Sequence, residues 1–150
     1  MRFLYTGSKQ YLSEQFNPEK SLGGFCSNSV IPNRKNNIFS DVSYFSRINE
    51  VEECKAVIIE NNSENTLTDV SLGYVYDKEL YDIQIAIVSL NSENSMELIS
   101  NSKNLPYYAN FFDASIEENL DNSYVFSEIV PNGKYGIWIK RKIKDFIINE

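Results

Sequence analysis

The chain has 150 residues, of which 42% are hydrophobic and 13% aromatic, a formal net charge of −7 and no histidine. That length fits one domain with its own core, and the composition excludes a disordered polymer. The acidic balance argues against a phosphate-backbone binder, which needs a positive footprint, and the missing histidine excludes Ser–His and Cys–His nucleophile pairs and any imidazole-ligated metal.

Residues 1–48 show no sustained period of either kind and are punctuated by Gly7, Pro18, Gly23-Gly24 and Pro32. The segment reads as an extended amino-terminal arm outside the core. Apolar anchors recur along it at Phe3-Leu4-Tyr5, Leu22 with Phe25, Val30-Ile31, and Ile38-Phe39 with Val42. Such spacing suits a chain laid across a neighbouring surface, its own sandwich or another subunit. Met1–Tyr5 leads straight into Thr6-Gly7-Ser8-Lys9 without a hydrophobic signal core, and no apolar run approaches the ~20 residues of a spanning helix. The expectation is a soluble protein with no membrane partner. Asp41–Phe45 reads as loop, and Cys26 and Cys54 as unpaired thiols of a reducing compartment.

Strand signals become regular from residue 49 to 144. Val51–Asn61 carries the unbroken apolar run Ala56-Val57-Ile58-Ile59, the mark of a central strand covered on both faces. Its partner is expected in Lys134–Ile143, far away in sequence. Between them, Thr66–Tyr76 alternates with Val70, Leu72, Tyr74 and Tyr76 on one face, and Ile83, Ile85 and Ile87 alternate after the charged turn Asp77-Lys78-Glu79. Residues 91–104 are polar with one brief strand near Met96–Ile99. One helical turn fits Ser115–Leu120, and Tyr124–Ile129 is a further strand. Pro131-Asn132-Gly133-Lys134 has the turn chemistry of a hairpin. The return strand places Tyr135, Ile137, Ile139 and Ile143 on one face and Trp138 among the polar residues of the other. About seven short strands predict an all-β fold, an antiparallel immunoglobulin-like β-sandwich, with a jelly roll as the alternative. Residues 145–150 form a carboxyl-terminal tail.

Catalytic equipment is sparse. Gly23-Gly24 belongs to no phosphate-binding pattern and reads as a tight turn. The carboxylates Glu52, Glu53, Asp113, Glu117 and Glu118 are candidates for the acid and base of a glycosidase, and an acidic chain places most such groups on a solvated face. No catalytic, metal-binding or cofactor-binding residue is assigned, and no cofactor is expected. Tyr107, Tyr108, Phe111 and Phe112 are either packed aromatics or a sugar-stacking platform. Lys140-Arg141-Lys142 with Lys144 is a local basic patch, a solvated strand end or a contact for an acidic neighbour.

Four segments taken in order, NPEKSLGGF at Asn17–Phe25, NNIFSDVS at Asn36–Ser43, ECKAVIIENN at Glu53–Asn62 followed by TLTDVSL, and VPNGKYGIWIKRKI at Val130–Ile143, resemble small virion structural proteins of tailed bacteriophages. The likeness spans most of the chain and departs at Cys54-Lys55, where an aromatic and an arginine are common in that family. It implies a non-enzymatic capsid, collar or tail accessory protein, made in the host cytoplasm and located in the virion. Its partners would be itself, in many copies, and other virion proteins. The interface expected on this basis comprises Phe3, Tyr5, Leu22, Phe25, Ile38, Phe39 and Trp138.

Overall fold

The computed structural model describes residues 1–10 and 13–144. The expected tail, 145–150, lies outside the described residues. Among the described residues, ten strands, a single 3-10 turn at Pro18–Lys20 and one short α-helix are formed, the strands and α-helix in the order β1 (Arg2–Gly7), β2 (Gly23–Val30), α1 (Tyr44–Ile48), β3 (Glu52–Glu60), β4 (Leu67–Leu72), β5 (Tyr81–Ser89), β6 (Ser95–Leu98), β7 (Ile116–Glu117), β8 (Leu120–Asp121), β9 (Tyr124–Ile129) and β10 (Lys134–Ile143). The architecture is an antiparallel all-β sandwich. A curled six-stranded sheet has the order β5-β10-β3-β1-β2-β6, and β4-β9 forms a narrow second layer beside the minimal hairpin β7-β8.

The apolar run in β3 does what its composition predicts. From Cys54 to Glu60 every residue is buried, and β10 pairs with β3 without interruption from Lys134↔Glu60 to Lys142↔Glu52. Alternation sends Val57 and Ile59 to one face, where they join Ile137, Ile85, Phe126 and Ile129, and sends Cys54 and Ala56 to the other, with Trp138, Ala86 and Ile99. The first face is covered by β4-β9. The second is covered by residues 90–111 and by Leu22.

The amino-terminal third departs from expectation. It is not an arm outside the core, because β1 lies between β3 and β2 in the main sheet, with Arg2↔Glu60 and Tyr5↔Val57 in register. The physical reason is a gap in β3's hydrogen bonding that the early chain fills. Where β1 stops pairing, Ser21 takes over: the Ala56 amide donates to the Ser21 carbonyl at 2.8 Å, and the Ser21 hydroxyl donates to the Ala56 carbonyl at 2.5 Å. The same hydroxyl accepts from the Thr6 amide at 3.0 Å, so a buried polar cluster is satisfied within the strand junction. Short strands broken by polar and glycine residues carry no long period, which is why the sequence hides them.

Two smaller differences have similar causes. The segment expected as a helical turn, Ser115–Leu120, falls in the β7-β8 hairpin instead, and α1 begins at Tyr44, inside the segment Asp41–Phe45 read as loop. Gly23-Gly24 is not a tight turn but the start of β2. Both glycines have positive φ, 90° and 84°, at a register shift against β6. A Cβ on Gly23 would lie 1.9 Å from the Glu97 carbonyl oxygen and 2.8 Å from the Trp138 ring.

Candidate interaction surface

Two strands at ~4.8 Å spacing are too narrow to cover six, so the first face of the main sheet is completed by something else. Residues 31–40 do this as an irregular strap of bends and turns. The Ile31 amide donates to the Phe3 carbonyl at 2.9 Å, the Tyr5 hydroxyl to the Asn37 carbonyl at 2.5 Å, and Arg141 Nη2 to the Ser40 carbonyl at 3.2 Å. Burial pushes the Tyr5 phenol above its ordinary pKa, with Arg34 pulling weakly the other way, so it remains a donor. Ile31 and Ile38 pack on the core cluster. At the far end the Arg141 guanidinium lies 4.6 Å from the Phe39 ring centroid and 2.8 Å from Glu53.

Between the strap and the end of β4 the layer stays open as an apolar groove of about 830 Å³. Its floor is Val57, Ile83, Ile85, Ile137 and Ile139, and its rim gathers Met1, Phe3, Val30 and Val75. All four rim residues are exposed, Val75 at 81%. An apolar groove with several exposed apolar side chains at its rim, beside Arg2, Asn33, Asn36 and Asn37, has the character of a contact surface, unlike single exposed side chains.

Of the seven residues expected at an interface, Phe3, Ile38 and Phe39 line this groove. Leu22 and Phe25 are half-buried on β2 and the loop before it, and Leu22 packs on the opposite face of the sheet. Tyr5 and Trp138, expected at the interface, are both fully buried within the folded chain. Trp138 stands between Ala56 and Ala86 on the neighbouring strands, whose small side chains make room for the indole, and Leu22, Met96 and Phe111 close over the same cluster. Sequence reasoning passed over Val75. The available signal was a valine on the face of its strand otherwise carrying Ser71 and Gly73.

A second exposed feature lies at the β6 edge. Tyr107 and Tyr108 are 83% and 79% exposed, their rings 4.8 Å apart in a T-shaped pair, with Leu98 and Leu105 also exposed. The Glu97 carboxylate accepts both tyrosine amides, at 2.7 and 3.0 Å, and fixes this turn. Phe111 and Phe112 are half-buried against the two core clusters instead, so the four aromatics do not form one platform.

The carboxylates and lysines scatter. Glu52 and Asp113 reach one cleft of about 230 Å³ with Asp82, Lys140 and Lys142, while Glu53 points to the other face and pairs with Arg141, and Glu117 pairs with Lys78. Hydrogen bonding from Ser115 holds the Asp113 carboxyl below its ordinary range. Glu60 and Asp121 are displaced downward too, which suits none of the three for a general acid at neutral pH. The basic patch is likewise divided: Arg141 is buried, Lys140 sits 4.5 Å from the Phe111 ring centroid, and Lys144 pairs with Asp82. Asn61 of the sequon-like Asn61-Asn62-Ser63 is fully buried, its amide donating to the Asn65 and Ile129 carbonyls. Among the described residues no group of three or more His, Cys, Asp or Glu side chains is placed to hold a metal ion. Cys26 and Cys54 are buried free thiols. The chain finds no match among protein-family models, curated proteins or solved structures.

Proposed function

We propose that this chain is a non-enzymatic structural component of a tailed-phage virion, an accessory protein of capsid, collar or tail that assembles in multiple copies. The ordered motifs from Asn17 to Ile143 support the virion reading by resemblance. The observation that carries the assembly reading is the groove with its exposed rim of Met1, Phe3, Val30 and Val75, apolar surface that a partner would bury at ~25 cal/mol per Å² before the cost of association. The interface therefore shifts from the anchors Tyr5 and Trp138 to Phe3, Ile38, Phe39 and the rim. Peptide mass spectrometry on density-purified phage particles tests the virion reading. Peptides of this chain should be found there in stoichiometric multiples, and a chain left wholly in the particle-free fraction contradicts it.

A second reading rests on the Tyr107-Tyr108 pair. Exposed rings held by a fixed turn suit stacking against a sugar face, and a carbohydrate-binding or host-adhesion module would use them. It predicts weak glycan binding lost in Tyr107→Ala or Tyr108→Ala. A glycan array without signal removes it.

A further inference from the structure

We infer that the apolar groove is a socket for the Tyr107-Tyr108 turn of a second copy of this chain, so that copies join head to tail. The inference rests on the homo-assembly proposed above and names its contact. Groove and turn are concave and projecting, and they sit on opposite faces of the main sheet. The groove lies over Val57, Ile137 and Ile139 of the first face. The turn stands outside the cover of the second face, where Ala109 and Phe111, just after it, pack on the Trp138 cluster. The two tyrosines are 83% and 79% exposed, and the Glu97 carboxylate already holds their backbone amides, so docking them costs little further ordering.

Chemistry and area select this occupant. A tyrosine brings an apolar ring and a hydroxyl that needs a polar partner. The groove supplies both, with Ile83, Ile85 and Ile137 beneath and the side chains of Arg2, Asn33 and Asn36 along its lining. At about 200 Å² per tyrosine side chain, the pair presents about 320 Å² of exposed surface. Leu98 and Leu105, also exposed, add to it and meet the rim of Met1, Phe3, Val30 and Val75. A matching area on the groove side doubles the total, toward the ~1,000 Å² expected of a specific contact. A chain cannot seat its own turn, because its six-stranded sheet stands between turn and socket. A mutual two-fold exchange would need the partner on both faces at once. The contact is therefore heterologous: each added copy leaves one socket and one turn free until a ring closes or a filament grows.

The test uses full-length chains with one of two lesions. Tyr107→Asp with Tyr108→Asp removes the turn and leaves the socket, whereas Val75→Asp, at an 81% exposed position, spoils the socket and leaves the turn. Each variant should be a 17.3 kDa monomer by light scattering with the wild-type circular dichroism spectrum, and the two mixed should give a 1:1 dimer that grows no further. Val30→Asp on the same rim is a second socket lesion, so a misfolded Val75→Asp chain does not decide the outcome. An oligomer unchanged in the tyrosine variant overturns the turn as occupant while leaving assembly in place. Two folded monomers that stay monomers on mixing overturn the head-to-tail contact. Glycan binding lost in the tyrosine variant beside an unchanged oligomer assigns the turn to a sugar instead. A wild-type monomer at every concentration removes this contact together with the homo-assembly reading, whereas absence from phage particles removes only the virion reading.

Discussion

Glu60 closes the start of the sheet, accepting from Arg2 at 2.6 Å and lying 3.2 Å from Lys134. Burial raises its carboxyl pKa, and the bonds from Arg2 and Lys134 outweigh that to hold it below the ordinary 4.5. A carboxyl depressed on folding stabilises the native state above its unfolded pKa and loses that contribution as pH falls through the folded value. Glu60→Gln should therefore cost about 1.5–3 kcal/mol by urea denaturation at neutral pH, and the gap to the wild type should close below about pH 4.5. The cysteines give a second prediction at this scale. Burial pushes Cys26 to about 11 and Cys54 to about 12, so neither is a thiolate at pH 8. A thiol reagent should titrate no thiol in the native chain and both after denaturation; fast native labelling would place a thiol at the surface. Individual side chains were only partly legible in the sequence. Lys140-Arg141-Lys142 reads as one basic patch, yet strand alternation sends Arg141 to a buried pair with Glu53 and its neighbours to the other face. Lys55 is hidden in the same way: only 1% of its side chain is exposed, with Nζ donating to the Pro18 carbonyl and 3.3 Å from Glu19.

At the scale of elements, the junction Ser21-Leu22-Gly23-Gly24 governs how the early strands meet β3. Gly23→Ala needs a side chain at φ 90° and drives a Cβ into the Glu97 carbonyl, a backbone atom that cannot step aside cheaply. It should destabilise by about 3–5 kcal/mol in thermal or urea unfolding. Ser21→Ala strands the Thr6 amide and the Ala56 carbonyl in the interior and should cost about 1–3 kcal/mol. A wild-type urea midpoint in either variant would contradict this account of the junction. The strands after residue 49 were readable because each has a period of two or an unbroken β-branched run, and β3 and β10 were recognised as partners from these alone. The junction was not readable, because its pairing is made by serine and threonine hydroxyls and by glycine geometry, none of which gives a periodic signal.

For the whole molecule, the central position of β1 reverses one expectation. Removing residues 1–25 takes away β1 and the start of β2, leaves an edge of β3 unpaired and separates β6 from the sheet. The product should lack a cooperative thermal transition; a folded truncated sandwich would return the amino-terminal third to the role of an arm. The groove itself was half visible in the sequence: Phe3, Ile38 and Phe39 were identified as anchors, but that they meet Val75 depends on a crossing of strap and sheet that only the fold creates. The measurement that tests assembly through this surface most directly is the solution mass of the full chain by light scattering, across concentration, beside the double variant Phe3→Asp with Val75→Asp. Both positions are exposed, so the variant should keep the fold. A discrete oligomer for the wild type and a 17.3 kDa monomer for the variant are expected. A wild-type monomer at all concentrations, or an oligomer the variant leaves intact, would contradict the claim.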